Sequence, residues 1–446
     1  MNKVALRLLL LLALMATLVG AQSAAVSAQG AFTAYTSGVQ VANLEATAAQ
    51  ITLTAYNQDG TTNGNALQDS IDANGSKTYF PISNVSSGFN GSIVVSSSKK
   101  IAAISNILSS DFKAGASYVG RDAGATTVRL PLLNKGNSGF NTWFSVQNAG
   151  TADATVSVAY SDGTTASGTI KPGAAKVFYQ AQENHTAAVF AGTVTSTNNQ
   201  PLVAAVIQES STVMFAYTGF TGAGTPTPVF PLVNANNSGY ISGLQIQNAG
   251  NAPTDVTVTY KKSLAGTDCT ETQTIAAGAS NTFALFAFAN GANSTCAPGA
   301  QFVGSAKVTG NTGNQPLVGI GNQLLPGRNG EAYGSFSVAE ATTKVVMPLI
   351  MDRNSGYFTG FSIQNVGTAA TTVSCTFTNN AYTVPATTLQ PDQALADLQS
   401  GKLANGYVGS GTCTAAAGGQ IVGVVNELGA NAAADQLLVY EGVSAQ

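Results

Sequence analysis

"NSGFNTWFSVQNAG" occupies residues 137–150, "NSGYISGLQIQNAG" residues 237–250 and "NSGYFTGFSIQNVG" residues 354–367. A catalytic motif seldom needs three copies, whereas a structural module does, and a period near a hundred residues marks a tandem array. Each stretch closes on an asparagine: Asn148, Asn248 and Asn365. A fainter copy, "VQVANLEATAAQITLTAY", places Asn43 in the same role. Two further markers follow in constant order. One is an aromatic-x-Gly-Ser/Thr tetrad at Phe89, Phe190, Phe302 and Tyr407; the other is a terminal tyrosine at Tyr118, Tyr217, Tyr333 and Tyr440. Four copies are therefore expected.

Each copy reads as β-structure. Apolar residues alternate before the asparagine (Phe144 and Val146, Leu244 and Ile246) and recur after it, as in Val156, Val158 and Tyr160, with Thr or Ser between them. That period of two is the pattern of a half-buried strand. "NQDG" and "SDG" supply hairpin turns in which Gly accepts positive φ. Helical periodicity is not evident inside the repeats. About seven short antiparallel strands per ~100 residues imply an all-β chain of four tandem immunoglobulin-like β-sandwich domains, over residues 29–123, 124–221, 222–340 and 341–446. In that frame the fourteen residues are an Asn-Ser-Gly turn feeding an inward-facing strand. The asparagine amide is expected to bond the backbone of the following turn.

Before the array, Lys3 and Arg7 precede the apolar run "LLLLLALMATLVG" and the small-residue stretch "AQSAAVSAQG". This is the pattern of a secretory signal peptide, residues 1–28, with cleavage after Ala28 or Ala21. The apolar run is short of the ~20 residues a membrane span needs. No cysteine sits near the end of the run to carry a lipid, and no apolar tail is seen at the C-terminus. A secreted or cell-surface protein with no membrane span in its mature form is expected. Its four cysteines pair within repeats, Cys269 with Cys296 and Cys375 with Cys413. The first pair is expected to staple a loop insertion, and the second to lie on the core parity. Paired zinc sites are disfavoured because no C-x-x-C occurs and His185 is the only histidine.

Only 9% of residues are charged, against roughly 25% in an ordinary soluble protein. Lys and Arg are not clustered, which disfavours nucleic acid as a partner. His185 sits in the polar loop "ENHT" without a G-x-S-x-G elbow, and "GIGNQL" at residue 319 has two of three dinucleotide-loop glycines but lies among strand residues. The acids Asp59, Asp162 and Asp352 read as turn residues, and "YNQDGTTNGN" reads as a hairpin turn rather than a calcium loop. No catalytic residue, metal or cofactor is assigned. Trp143, the lone tryptophan, falls on the outward parity of its strand and is a candidate contact residue.

With its motifs "PL", "SIQNVG", "FVGS" and "QPLVG", the chain over residues 29–446 resembles the Ig-like repeat arrays of bacterial secreted and cell-surface proteins. The resemblance implies architecture and no specific activity. A structural protein that assembles with itself into a fibre, sheath or surface layer is the first expectation, and a secreted adhesin binding cell-surface glycan the alternative. A count sharpens the first. "RLPLLN", "VFPLVN" and "VMPLIM" are three Pro-Leu strands for four sandwiches. Whichever body each belongs to, one end of the array lacks that strand.

Overall fold

The computed structural model describes residues 31–284, 293–379, 382–429 and 434–445. The expected signal peptide at 1–28 lies outside them. The described chain is all-β: eight antiparallel sheets, with helical structure confined to the short 3-10 turns Gln180–Gln182, Thr312–Asn314 and Val338–Glu340.

Each repeat contributes two of the sheets. In the second repeat one sheet runs Ala175–Tyr179, Asn141–Asn148, Leu202–Glu209, Met214–Thr218; the other runs Thr165–Ile170, Ala154–Tyr160, Val189–Ser196, Thr127–Asn134. The alternation in the sequence is the alternation of burial: along Ala154–Tyr160 every second residue is buried and the others are exposed. The third repeat has the same order, and the fourth adds Val443–Ala445 beside Lys344–Asp352. The full module therefore has eight strands rather than about seven, because a Pro-Leu strand opens each of repeats two to four. Thr127–Asn134, Val229–Ala235 and Lys344–Asp352 each pair with the aromatic-Gly strand of the repeat that follows them.

Both disulfides form, Cys269–Cys296 and Cys375–Cys413. The second joins directly paired residues of neighbouring strands in the core. Cys269, expected in a loop, instead opens the strand Cys269–Ile275.

The terminal tyrosines explain how the Pro-Leu strand is held. Tyr217, Tyr333 and Tyr440 are at most 1% exposed. Their hydroxyls donate to the carbonyls of Leu132, Leu232 and Leu349, each the residue after the proline of that strand. A buried phenol with its hydroxyl satisfied adds packing without an orphaned donor.

The repeats close on each other. Ile207, Met214 and Ala216 of the second repeat pack with Ile107, Ala114 and Ala116 of the first. Ile320 and Ala332 of the third join the core of the second, and Val422, Val424, Leu437 and Val439 of the fourth join that of the third. Ile104 and Val119 of the first complete the circuit against the fourth. The strands that carry the terminal tyrosines, Gly115–Val119, Met214–Thr218, Asn329–Gly334 and Leu437–Glu441, meet where the repeats converge. Packing apolar strand edges against neighbours removes the hazard of four exposed edges.

Candidate functional site: the open edge of the first repeat

The first repeat has no Pro-Leu strand. Its second sheet holds three strands, Leu67–Ile71, Ala49–Asn57 and Gly91–Ser97, and no strand among the described residues pairs with the outer edge of Gly91–Ser97, although its Ser92 hydroxyl donates to the Gly173 carbonyl of the second repeat. The consequence is visible in burial. Leu202, Leu317 and Ile421 are at most 1% exposed, each covered by a bridge from the preceding linker at Ala125, Thr225 or Thr342. Their counterpart Ile101, paired with Asn43 as Leu202 is with Asn148, is only half-buried. Ile93 and Val95 face the core of their sandwich but are likewise half-buried, and Val94 on the outer face is exposed. An unpaired ladder edge above half-covered apolar side chains is a template for another strand. The edge lines an open cleft that also includes Phe89, Trp143 and Tyr179.

Trp143 faces away from its own sandwich, as its parity implies, and packs on the first repeat. Its ring lies 5.9 Å from that of Tyr35 and 6.3 Å from that of Tyr179. Tyr35 in turn donates a 2.6 Å hydrogen bond to Glu209, whose other oxygen accepts from the Ala31 N–H at 2.7 Å. Burial pushes the Glu209 carboxyl above the usual range. The contact made by the lone tryptophan is thus the joint between repeats one and two.

The four asparagines do one job. Asn148 donates from Nδ2 to the carbonyls of Ala152 and Ile170, while its Oδ1 accepts from Gly150 N. Asn248 and Asn365 repeat this with Ala252, Ile275 and Gly250, and with Ala369, Leu389 and Gly367. Asn43 bonds Thr47, Ile71, Asp72 and Glu45. All four are nearly or fully buried. Each stitches the end of its strand to the turn that follows and to a strand of the opposite sheet.

Where the four tyrosine strands meet, side-chain carboxyl groups take the place of strand partners. Glu331 accepts from the backbone N–H groups of Ser117, Ala216 and Ala332, thereby joining repeats one, two and three. Asp435 accepts from Met214 and Gly330, and Glu441 from Gly334. Glu427 faces Asn106 of the first repeat. Burial raises all four: Glu427 and Asp435 are pushed up to about 8, and Glu331 and Glu441 also sit above the usual range. These acids lie within or beside strands, unlike Asp59 and Asp162 at their turns. The available signal was an acid inside an apolar strand, as in "GEAYG" and "LLVYEG". Asp352, read as a turn residue, instead ends a strand and is buried against Arg353, Gly401 and Leu403.

His185 belongs to a packing cluster. Its ring stacks on Phe190 at 3.9 Å and its side chain has no exposed surface. Thr164 and Asp162 both approach the same nitrogen, Nδ1. A catalytic base needs its orienting acid and its nucleophile on opposite nitrogens. At "YNQDGTTNGN" the Asp59 carboxylate accepts from the Thr61 N–H and hydroxyl, which makes a closed turn with Gly60 at φ 89°. Among the described residues no group of three or more His, Cys, Asp or Glu is placed to hold a metal ion, and no helix is long and apolar enough to cross a membrane.

No protein-family model matches the chain, and no curated protein matches it.

Proposed function

We propose that this chain is an exported structural protein of the cell exterior that assembles with copies of itself through the open edge of its first repeat. The observation that carries the reading is the contrast among equivalent positions. Three repeats pair the edge of their aromatic-Gly strand with a Pro-Leu strand, and the first leaves Ile93, Val95 and Ile101 half-covered. The leader pattern, two disulfides and a surface of hydroxyls and amides suit an extracellular chain. The reading is of a non-catalytic protein whose partner is itself.

Light scattering of the purified mature chain over a concentration series, with electron microscopy of the same samples, tests it. Concentration-dependent polymers of regular form are expected. A chain that stays monomeric at high concentration overturns the reading. A second reading, glycan adhesion, is favoured by Phe80 and Phe112, 47% and 55% exposed and in edge-to-face contact at 6.5 Å. A monomer retarded in polysaccharide gels, with the retardation lost in Phe112→Ala, would select it.

A further inference from the structure

The Pro-Leu strands occupy a constant place in the sequence. Pro131, Pro231 and Pro348 each stand seventeen residues before Asn148, Asn248 and Asn365. The same offset from Asn43 is Val26, in "SAAVSAQ", residues 23–29. That segment lacks the leucines of its counterparts, and the first repeat differs in a way that matches. One residue earlier stand Leu130, Phe230 and Met347, each paired with a small residue, Gly192, Ala306 and Gly411. A Cβ at Gly411 would come within 2.8 Å of the terminal methyl of Met347 and 3.1 Å of Phe377, and one at Gly192 within 3.0 Å of Leu133 and 3.5 Å of Leu130, while the third repeat accommodates Ala306 there. The first repeat carries Ile93 at this position, opposite Ala55 as Gly192 is opposite Tyr160. The residue eighteen before Asn43 is Ala25. Large against small in three repeats thus becomes small against large in the first, and the same exchange occurs on the inner side of the strand, where Ala55 stands in place of Tyr160, Tyr260 and Phe377.

The turn that would bring this segment onto its own repeat is missing. In repeats two to four the Asn-Ser-Gly turn takes positive φ at Ser138 and Gly139, Ser238 and Gly239, Ser355 and Gly356. Asn137 and Phe140 exchange both backbone bonds across it. The corresponding residues of the first repeat are Thr33 and Ala34. Neither has positive φ, and a β-branched residue is poorly suited to it. Instead Ala31 is held by Glu209 of the second repeat.

Resting on the self-assembly reading, we infer that the open edge of the first repeat receives residues 23–29 of a second copy as its missing strand. Ala25 lies opposite Ile93 and Ser23 opposite Val95, by the register that sets Leu130 against Gly192 and Val128 against Val194. The outward-facing pair is then Ala24 with Val94, the counterparts of Arg129 and Thr193. Strand addition of this kind gives backbone hydrogen bonds and pockets for alternate side chains. It requires export processing after Ala21, since cleavage after Ala28 removes the donor.

The test uses chains starting at Gln22. The described residues contain no free cysteine, so single variants Ala24→Cys and Val94→Cys can be mixed and oxidised. A disulfide-linked two-chain product on a non-reducing gel is expected from the mixture. A link within one chain in the doubly substituted protein, or no link at all, overturns the inference. Ala25→Leu should abolish the product by clash with Ile93, and Ala25→Leu with Ile93→Gly in the acceptor should restore it. Restoration would not follow from a folding defect. Polymers that persist after deletion of 23–29, or native mature protein starting at Gln29, sink this inference and leave self-assembly standing. Loss of polymers in the unmodified chain sinks both.

Discussion

Replacing Asn148 by alanine isolates the interaction on which the repeated fourteen residues turn. The side chain is fully buried. It makes three hydrogen bonds of 2.7–2.9 Å, two from Nδ2 to carbonyls and one to Oδ1 from Gly150 N. Each bond is worth about 1 kcal/mol net, and a buried partner left unsatisfied costs about 1–3 kcal/mol. Alanine should therefore destabilise the second repeat by about 3–5 kcal/mol. Asn148→Asp keeps the acceptor but turns a second oxygen toward the carbonyls of Ala152 and Ile170. It should cost at least as much near neutral pH, and less in acid, where the protonated carboxyl again has a donor. Trp143, the only tryptophan, lies in the same strand. Its fluorescence during denaturant unfolding therefore reports the second repeat together with its joint to the first. A loss below about 1 kcal/mol for Asn148→Ala, or identical behaviour of the aspartate variant across pH, would refute the assigned role.

Glu331→Ala should loosen the junction of repeats one to three by roughly 2–5 kcal/mol, since it strands the N–H groups of Ser117 and Ala216; hydrogen exchange at those two amides should rise, and unchanged protection counts against the junction. Glu427 and Asp435 hold their protons in the folded chain up to about pH 8 and release them near pH 4 when unfolded. Their contribution is thus full below pH 4 and lost as pH rises to about 8, so thermal midpoints should fall over that interval and level off above it. Replacing both acids by their amides should shrink the fall, leaving what the other buried acids Glu331 and Glu441 contribute. Removing Cys375–Cys413, which closes 38 residues, should cost at most about 4 kcal/mol on the chain-entropy estimate. Because Cys375 and Cys413 are fully buried while Cys269 and Cys296 keep slight exposure, mild reductant should open the 269–296 bond first, as peptide mapping would show.

Local rules sufficed for much of this protein. Alternating apolar residues and Asp-Gly turns dictate strands at short range. Four copies of a marked pattern imply four modules, and an asparagine closing each strand implies a cap on its turn. Cysteines on matching parity imply the core disulfide. These features depend on neighbours a few residues apart, or on comparison of one repeat with another. Where the repeats touch is another matter. The burial of Glu331 depends on backbone groups 115 and 214 residues away, and no periodicity along the chain encodes that distance. Counting Pro-Leu strands shows that one sandwich is incomplete, but not which. Only the pairing of Thr127–Asn134 with Val189–Ser196 assigns that strand to the repeat it precedes, and so leaves the gap in the first. Ile93 in place of glycine or alanine was present in the letters but had no meaning until the register named its opposite, because size complementarity is a property of pairs brought together by the sheet.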